Sequence, residues 1–318
     1  MALGNLAQRA LVAVIAVPLL LLLLNYGRPE PTWAVIFLAS LIAMKELFAM
    51  VLPKEDRGAA LVMGGLACAA FYWLDIATLV YLAPSETGWT THAPSSMTAA
   101  HEPSFGLKLF AGAVSASGAI TLILAVVVPM LYFLFRHRMT AEQLAADTGT
   151  VAKRITGTIM GIVYAGLLTT FLAILKRADP ERGASTVLIV LIVAWVADTG
   201  GYFAGRFLGK TKLYPAVSPK KTWAGAWGGL AGAVVGLVVL KLVYADWMTW
   251  VDVVAIAIPG CILGQMGDLA ESLLKRSTGV KDSGALLPGH GGILDRIDAV
   301  LFIAPYVYAY LQIRAAIT

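Results

Sequence analysis

Runs of about 20 consecutive apolar residues recur from one end of this chain to the other, the length an α-helix needs to cross the hydrocarbon of a bilayer. Of its 318 residues, 59% are hydrophobic and only 14% charged, and the mean hydropathy is +0.79. In lipid every backbone N–H and C=O must be satisfied internally, which leaves helices or a closed barrel. The apolar runs here are continuous rather than alternating, so they select helices. The fold class is therefore an all-α polytopic membrane protein. Nine transmembrane helices are expected, at roughly 10–27, 33–52, 59–83, 109–135, 156–175, 186–206, 223–244, 251–272 and 298–314. The first run lacks a small-residue cleavage site and reads as a retained span rather than a signal peptide. Two regions are expected. Residues 1–155 hold the N-terminal spans, a Pro/Ser-rich polar loop at 84–105 and an amphipathic surface helix at 139–154; residues 156–318 hold the C-terminal spans and the charged segments. Neither a soluble domain nor an internal repeat is visible.

Charge placement gives an orientation. With nine spans, sixteen Lys and Arg fall on the side of the N-terminus and seven on the other, which puts the N-terminus and the most basic loops in the cytoplasm. The net charge of +5 suits anionic lipid and phosphorylated substrates, and no nucleic-acid partner is expected. Cys68 and Cys261 are too few and too apolar in context for a disulfide framework or a thiolate metal site, and the four histidines are scattered without zinc spacing.

The segment Ser272–Asp298 concentrates the chemistry: eight of its 27 residues are Lys, Arg, His or Asp. Charge beside hydrocarbon is costly and marks function. Asp268, Glu271, Ser272 and Lys275 recur at helical spacing and share one face at the end of the eighth span; Asp295 and Asp298 share a face at the start of the ninth. Two acidic helix tips joined by a Gly-rich loop can meet around a hard cation, Mg²⁺ above all where a nucleotide phosphate is the other ligand. Lys275, Arg276, Lys281 and Arg296 suit phosphates. The alternative, a solvated loop with surface ion pairs, leaves Gly289-His290-Gly291-Gly292 without an obvious stabilising purpose, whereas glycines there would let backbone approach a ligand closely.

Two further groups qualify. Ser218-Pro-Lys-Lys-Thr-Trp reads as an N-cap followed by proline at the first position of the seventh helix. That helix terminus is an anion site, and Lys220 and Lys221 in its first turn would be unfavourable unless an anion is expected. Asp198 lies near the end of an apolar run, with Tyr202 and Arg206 at i+4 and i+8; it is either a functional carboxylate or half of an Asp–Tyr or Asp–Arg packing pair. The glycine stripes Gly201/Gly205/Gly209 and Gly228/Gly232/Gly236 read as helix packing. Gly205-Arg-Phe-Leu-Gly-Lys-Thr has one residue too few for a P-loop and follows a span rather than a strand, so it is rejected. Glu46 is either an ion or proton site or an interior ion pair beside Lys45.

Taken together, these residues resemble the phosphatidate cytidylyltransferase (CDP-diacylglycerol synthase) family. Its hallmark runs Ser-x-x-Lys-Arg, Lys-Asp, Pro-x-His-Gly-Gly and Asp-Arg-x-Asp. This chain has Ser272, Lys275-Arg276, Lys281-Asp282, Pro288-Gly-His290-Gly-Gly and Asp295-Arg296-Ile-Asp298 in that order. The stretch Asp198–Gly225 also resembles the family; the first half matches more weakly, through Arg9 and Glu46.

The resemblance implies transfer of a cytidylyl group from CTP to phosphatidate, giving CDP-diacylglycerol and pyrophosphate for phospholipid biosynthesis. It also implies Mg²⁺ with a second, monovalent cation, and a homodimer. Chain length and the absence of long soluble tails favour a bacterial inner membrane over an organelle, and the positive-inside count turns the site toward the cytoplasm. On this reading Asp268 and Asp295 hold the metal. Lys275, Arg276, Asp282, His290, Arg296 and Asp298 serve catalysis, and Asp198, Ser218, Lys220, Lys221, Thr222, Ser272 and Lys281 bind substrate. The alternatives are a CTP-dependent cytidylyltransferase or kinase acting on another, isoprenoid-type lipid, and an ion-coupled transporter using Asp198 and Glu46.

Overall fold

The structure is a computed structural model that describes residues 18–25, 28–82, 117–136, 140–147, 149–284, 286 and 291–317. The expected polar loop at 84–105 and most of the first expected span lie outside the described residues. Nine labelled helices follow one another: α1 Glu30–Val51, α2 Lys54–Leu82, α3 Ser117–Arg136, α4 Ala141–Ala146, α5 Thr150–Ala178, α6 Gly183–Leu208, α7 Trp223–Val243, α8 Trp250–Ser277 and α9 Leu294–Ile317. Seven of them, all but the short α4 and the terminal α9, are long and apolar enough to cross a membrane. The expected surface helix at 139–154 is corrected. It divides into α4 and the first turn of α5, because Gly149 takes φ +88° between them, a conformation open to glycine but strained for other residues.

A short antiparallel hairpin, β1 Lys212–Tyr214 and β2 Ser218–Thr222, interrupts the helices before α7. The expectation of Ser218 as helix cap is thereby corrected. The α7 cap is Thr222, extended at φ −130° and ψ 157°, whose Oγ1 accepts the N–H of Gly225. Pro219 holds the preceding residue extended, so Ser218, Lys220 and Lys221 lie on a strand leading into the helix rather than in its first turn. At α8, Thr249 and Asp252 form a reciprocal capping box.

Side-chain contacts sort the helix ends onto two faces. Arg154 of α5 reaches Asp56 of α2 at 3.0 Å, Glu46 of α1 meets the start of α9, and Lys221 meets Asp268 of α8. On the opposite face Arg177 donates to the Tyr72 carbonyl at 2.7 Å, Trp247 to Ser185 and Arg314 pairs with Asp252. Two apolar cores fill the interior. One joins α6, α7, α8 and α9; the other joins α1, α2, α3 and α5 and takes Leu294 and Leu301 from α9. Helix α9 is thus packed into both.

The closest helix packing is between α6 and α7. A Cβ added at Gly232 would stand 2.7 Å from the Val196 carbonyl, and one at Gly225 would stand 3.0 Å from the Gly201 carbonyl. The glycine stripes therefore do what their spacing suggests, letting two backbones meet without side chains between them.

Candidate functional site

A cavity of about 380 Å³ opens between α6, α7, α8 and α9 beneath the hairpin. Its lining is graded. At the hairpin end stand Arg206, Tyr202, Asp198, Lys220, Lys221 and Asp268; the opposite end is walled by Val193, Ala194, Cys261 and Ile303. Along α6 alone, the fourteen residues from Val193 to Arg206 carry the lining from apolar to charged over roughly 20 Å at 1.5 Å per residue. Gly201, Gly205, Gly225 and Gly229 give one wall a bare backbone surface. Such a chamber suits a molecule with an anionic head and an apolar body.

The charged end is short of partners. Lys221 Nζ lies 2.5 Å from Asp268 Oδ2, but that ammonium is buried and has no directed hydrogen bond. Ser272 Oγ approaches Asp268 Oδ1 only to 3.5 Å. Asp198 faces the cavity and does not form the Asp–Tyr or Asp–Arg pair weighed from its spacing: the pair in α6 is Arg206 Nη1 donating to Tyr202 Oη at 2.7 Å. Asp298 accepts its neighbour's N–H, that of Ala299, at 2.7 Å, and lies within electrostatic reach of Asp268, Glu271 and Asp198.

Beside the cavity is a second cluster, in which Asp295 is fully satisfied and Glu271 is not. Lys275 Nζ is 2.5 Å from both Glu271 Oε2 and Asp295 Oδ1. Asp295 Oδ2 also accepts the N–H groups of Ser283 and Gly292, at 3.0 and 2.8 Å. Burial alone would raise the Asp295 carboxyl; the Lys275 ammonium and the Gly292 N–H outweigh it and hold the group down at about 2. A carboxyl depressed in this way contributes stability above its ordinary titration range, and the contribution is lost as pH falls toward 2. Asp268 and Asp295, expected as a metal-holding pair, thus stand in different surroundings, one on the cavity wall and the other inside this cluster.

Gly291 and Gly292, the described glycines of this motif, act differently from the ligand-facing role expected of them. Gly291 takes φ +77° and leaves no room for a Cβ, which would stand 2.5 Å from Asp295 Oδ2; a Cβ at Gly292 would strike Ser283 Oγ and Glu46 Oε2. The close approach they permit is to the protein's own carboxylates. Glu46 itself is neither an open ion site nor paired with Lys45, which is exposed. Its carboxylate accepts from Ser283 Oγ, Ile293 N and Leu294 N. Arg276 is exposed and donates to the Val280 carbonyl; Lys281, Asp282 and Arg296 are exposed; His290 lies outside the described residues.

Three polar residues here escaped sequence reasoning or were left unassigned. Gln265 donates to the Ala226 carbonyl at 3.1 Å and ties α8 to α7; its position three residues before Asp268 on the same face was the available signal. Tyr164 comes from a wide π turn, Gly161–Leu167, a form common at functional sites. Its hydroxyl is buried without a hydrogen-bond partner, in electrostatic reach of Glu271, Asp298 and Asp268. Glu46 is the third.

The donors suit a hard cation. All are oxygens, carboxylates outnumber Lys221 and Lys275, and Glu271 keeps a buried Oε1 that no donor reaches. Among the described residues no three Asp, Glu, His or Cys converge on one point. Mg²⁺ takes one or two protein carboxylates and completes its shell with water and phosphate oxygens, a demand that Asp268 on the cavity wall could meet.

The profile of the cytidylyltransferase family matches residues 7–314. The chain belongs to the cytidylyltransferase family. Curated relatives within reach of this family include a phosphatidate cytidylyltransferase of Brucella suis, 47% identical over 156 residues, covering 49% of this chain and 57% of the relative. That of Bacillus subtilis is 37% identical over 154 residues, 48% of this chain and 57% of the relative. That of Synechocystis is 37% identical over 213 residues, 57% of this chain and 66% of the relative. The aligned part of the chain thus spans little more than half the length of the first two.

Proposed function

We propose that this chain is a phosphatidate cytidylyltransferase of a bacterial inner membrane, its site facing the cytoplasm. The observation that carries the reading is the graded cavity: a charged end for phosphates and an apolar end for a lipid body, in a member of the cytidylyltransferase family. The relatives' names supply the substrate pair. The topology proposed with it has nine spans, including 10–27 and 298–314, and a cytoplasmic N-terminus; the assembly proposed is the homodimer that the family resemblance implies.

In this mechanism a phosphate oxygen of phosphatidate attacks the α-phosphorus of CTP in line. The new O–P bond forms as the bond to the β-phosphate oxygen breaks, and pyrophosphate leaves with the electron pair. A phosphate monoester is already mostly ionised at neutral pH, so no strong general base is required. Catalysis is positioning and charge neutralisation. Lys220 and Lys221 bind phosphate at the head of the cavity, Asp198 stands on the same wall within electrostatic reach of Lys221, and Arg296 adds positive charge within reach of Asp198. Mg²⁺, when bound, would supply charge neutralisation. Asp268 would hold it from the cavity wall, and Asp295 would be the second carboxylate by releasing an oxygen from Lys275. A monovalent cation would be accommodated by the same carboxylate excess.

The test is incorporation of α-labelled CTP into lipid by purified protein, with phosphatidate or an isoprenoid phosphate as acceptor and EDTA as control. Label is expected in CDP-diacylglycerol with phosphatidate only. Label that never enters lipid removes the reading, and label entering only the isoprenoid product replaces it.

A further inference from the structure

A buried carboxylate without a cation needs hydrogen-bond donors for its oxygens. Glu46 is 9% exposed, near the end of α1 and far in sequence from the charged loop. Its oxygens are taken up by the Ser283 hydroxyl at 3.1 Å and by the backbone N–H groups of Ile293 at 3.1 Å and Leu294 at 2.9 Å. The last two belong to the start of α9, where first-turn N–H groups have no partner within their own helix and where the helix dipole favours an anion. Glu46 is thus an N-cap supplied from another helix.

The same carboxylate reaches both ends of one loop, since Ser283 precedes it and Leu294 follows it. Asp295 repeats the arrangement from the other side by accepting the N–H groups of Ser283 and Gly292. Ser283 is consequently held by two carboxylates, through its hydroxyl and through its N–H. There is no slack: a Cβ at Gly284 would stand 2.5 Å from Glu46 Oε1. Whatever fixes Ser283 and Leu294 also fixes the first turn of α9, and with it Asp295, Arg296 and Asp298.

We propose that Glu46 is a positioning residue. It touches no substrate, but it sets the loop ends and the start of α9 so that the acidic and basic groups there meet the cavity in working geometry. The inference rests on the proposed cytidylyl transfer for its kinetic consequence, not for its structural one.

Two measurements on Glu46→Gln test it. The amide keeps the size and removes the charge, and turns an NH₂ toward donors. Hydrogen exchange should quicken at the amides of residues 291–295 and stay unchanged in α6 and α7. The kcat should fall about 100-fold, the scale of a small misplacement, with the KM for CTP changed less than about threefold. Glu46→Asp, which keeps the charge, should recover part of the kcat. Unchanged exchange overturns the clamp. Quickened exchange with unchanged kcat, or a kcat loss accounted for by loss of folded protein, overturns the positioning role. Should Glu46→Gln fail to fold, Ser283→Ala removes a single contact and should reproduce both effects at about a tenth of the size; wild-type values there overturn the proposal equally. A wild-type protein that does not label lipid defeats the proposed function and leaves the exchange result to decide the clamp.

Discussion

The cavity and the Glu46–Lys275–Asp295 cluster adjoin each other and are made of the same residue types, yet they are built in opposite ways. In the cluster Asp295 has three donors and Glu46 three, and only Glu271 beside them is short of donors. In the cavity Lys221 and Asp268 have little but each other, and Asp198 faces open space. Satisfied polar networks rigidify a structure, whereas under-satisfied ones await a partner. The contrast divides the charged residues into those that hold the site and those that hold the substrate.

The largest effect should come from the open side. Asp268→Asn is expected to lower turnover by about 100- to 1000-fold, the range for losing one preorganised charge-stabilising group. The melting temperature should fall less than for Asp295→Asn, because the Lys221–Asp268 pair is more exposed than the Lys275–Asp295 pair, and the Mg²⁺ requirement should rise; CTP-dependent labelling and thermal unfolding in detergent check this together. A large loss of stability would erase the distinction. Asp295→Asn should depress activity and also destabilise the protein by about 3–5 kcal/mol, the usual cost of removing one member of a buried pair, because Lys275 would keep only Glu271. A variant as stable as wild type would place Asp295 with the open groups. Gly292→Ala should cost about 1–3 kcal/mol of stability, as overpacking does, with activity per folded molecule reduced less than in either Asp variant. The smallest change is expected at the rim: Lys212→Gln, on the exposed hairpin, should raise the KM for phosphatidate about fivefold in anionic vesicles, near the 1 kcal/mol that a basic residue contributes at such a surface. That effect should shrink as salt is added.

Much of this was legible in the sequence because it is local. Apolar runs marked the seven long helices, and a helical period put Asp268, Ser272 and Lys275 on one face. Glycine spacing foretold close helix packing, though not which helices would meet, because small residues four apart on one face let backbones approach. What escaped was non-local or conformational. Glu46 looked like an isolated polar residue because its partners lie about 240 positions away. Gly291 and Gly292 looked like a ligand cradle because sequence shows that a glycine is needed without showing what comes near it. Ser218 resembled a cap because Ser-Pro commonly begins a helix, but a hairpin carried the chain four residues further, to Thr222.

The wall shared by α6 and α7 has one more consequence. Gly201, Gly205, Gly225 and Gly229 present bare backbone to the chamber, and no amino acid is smaller than glycine. Every substitution on that side narrows the space; none can widen it. Any lineage or engineer seeking a bulkier lipid must therefore carve into the facing side, at Gln265, Ala299 or Ile303, where there is still bulk to remove.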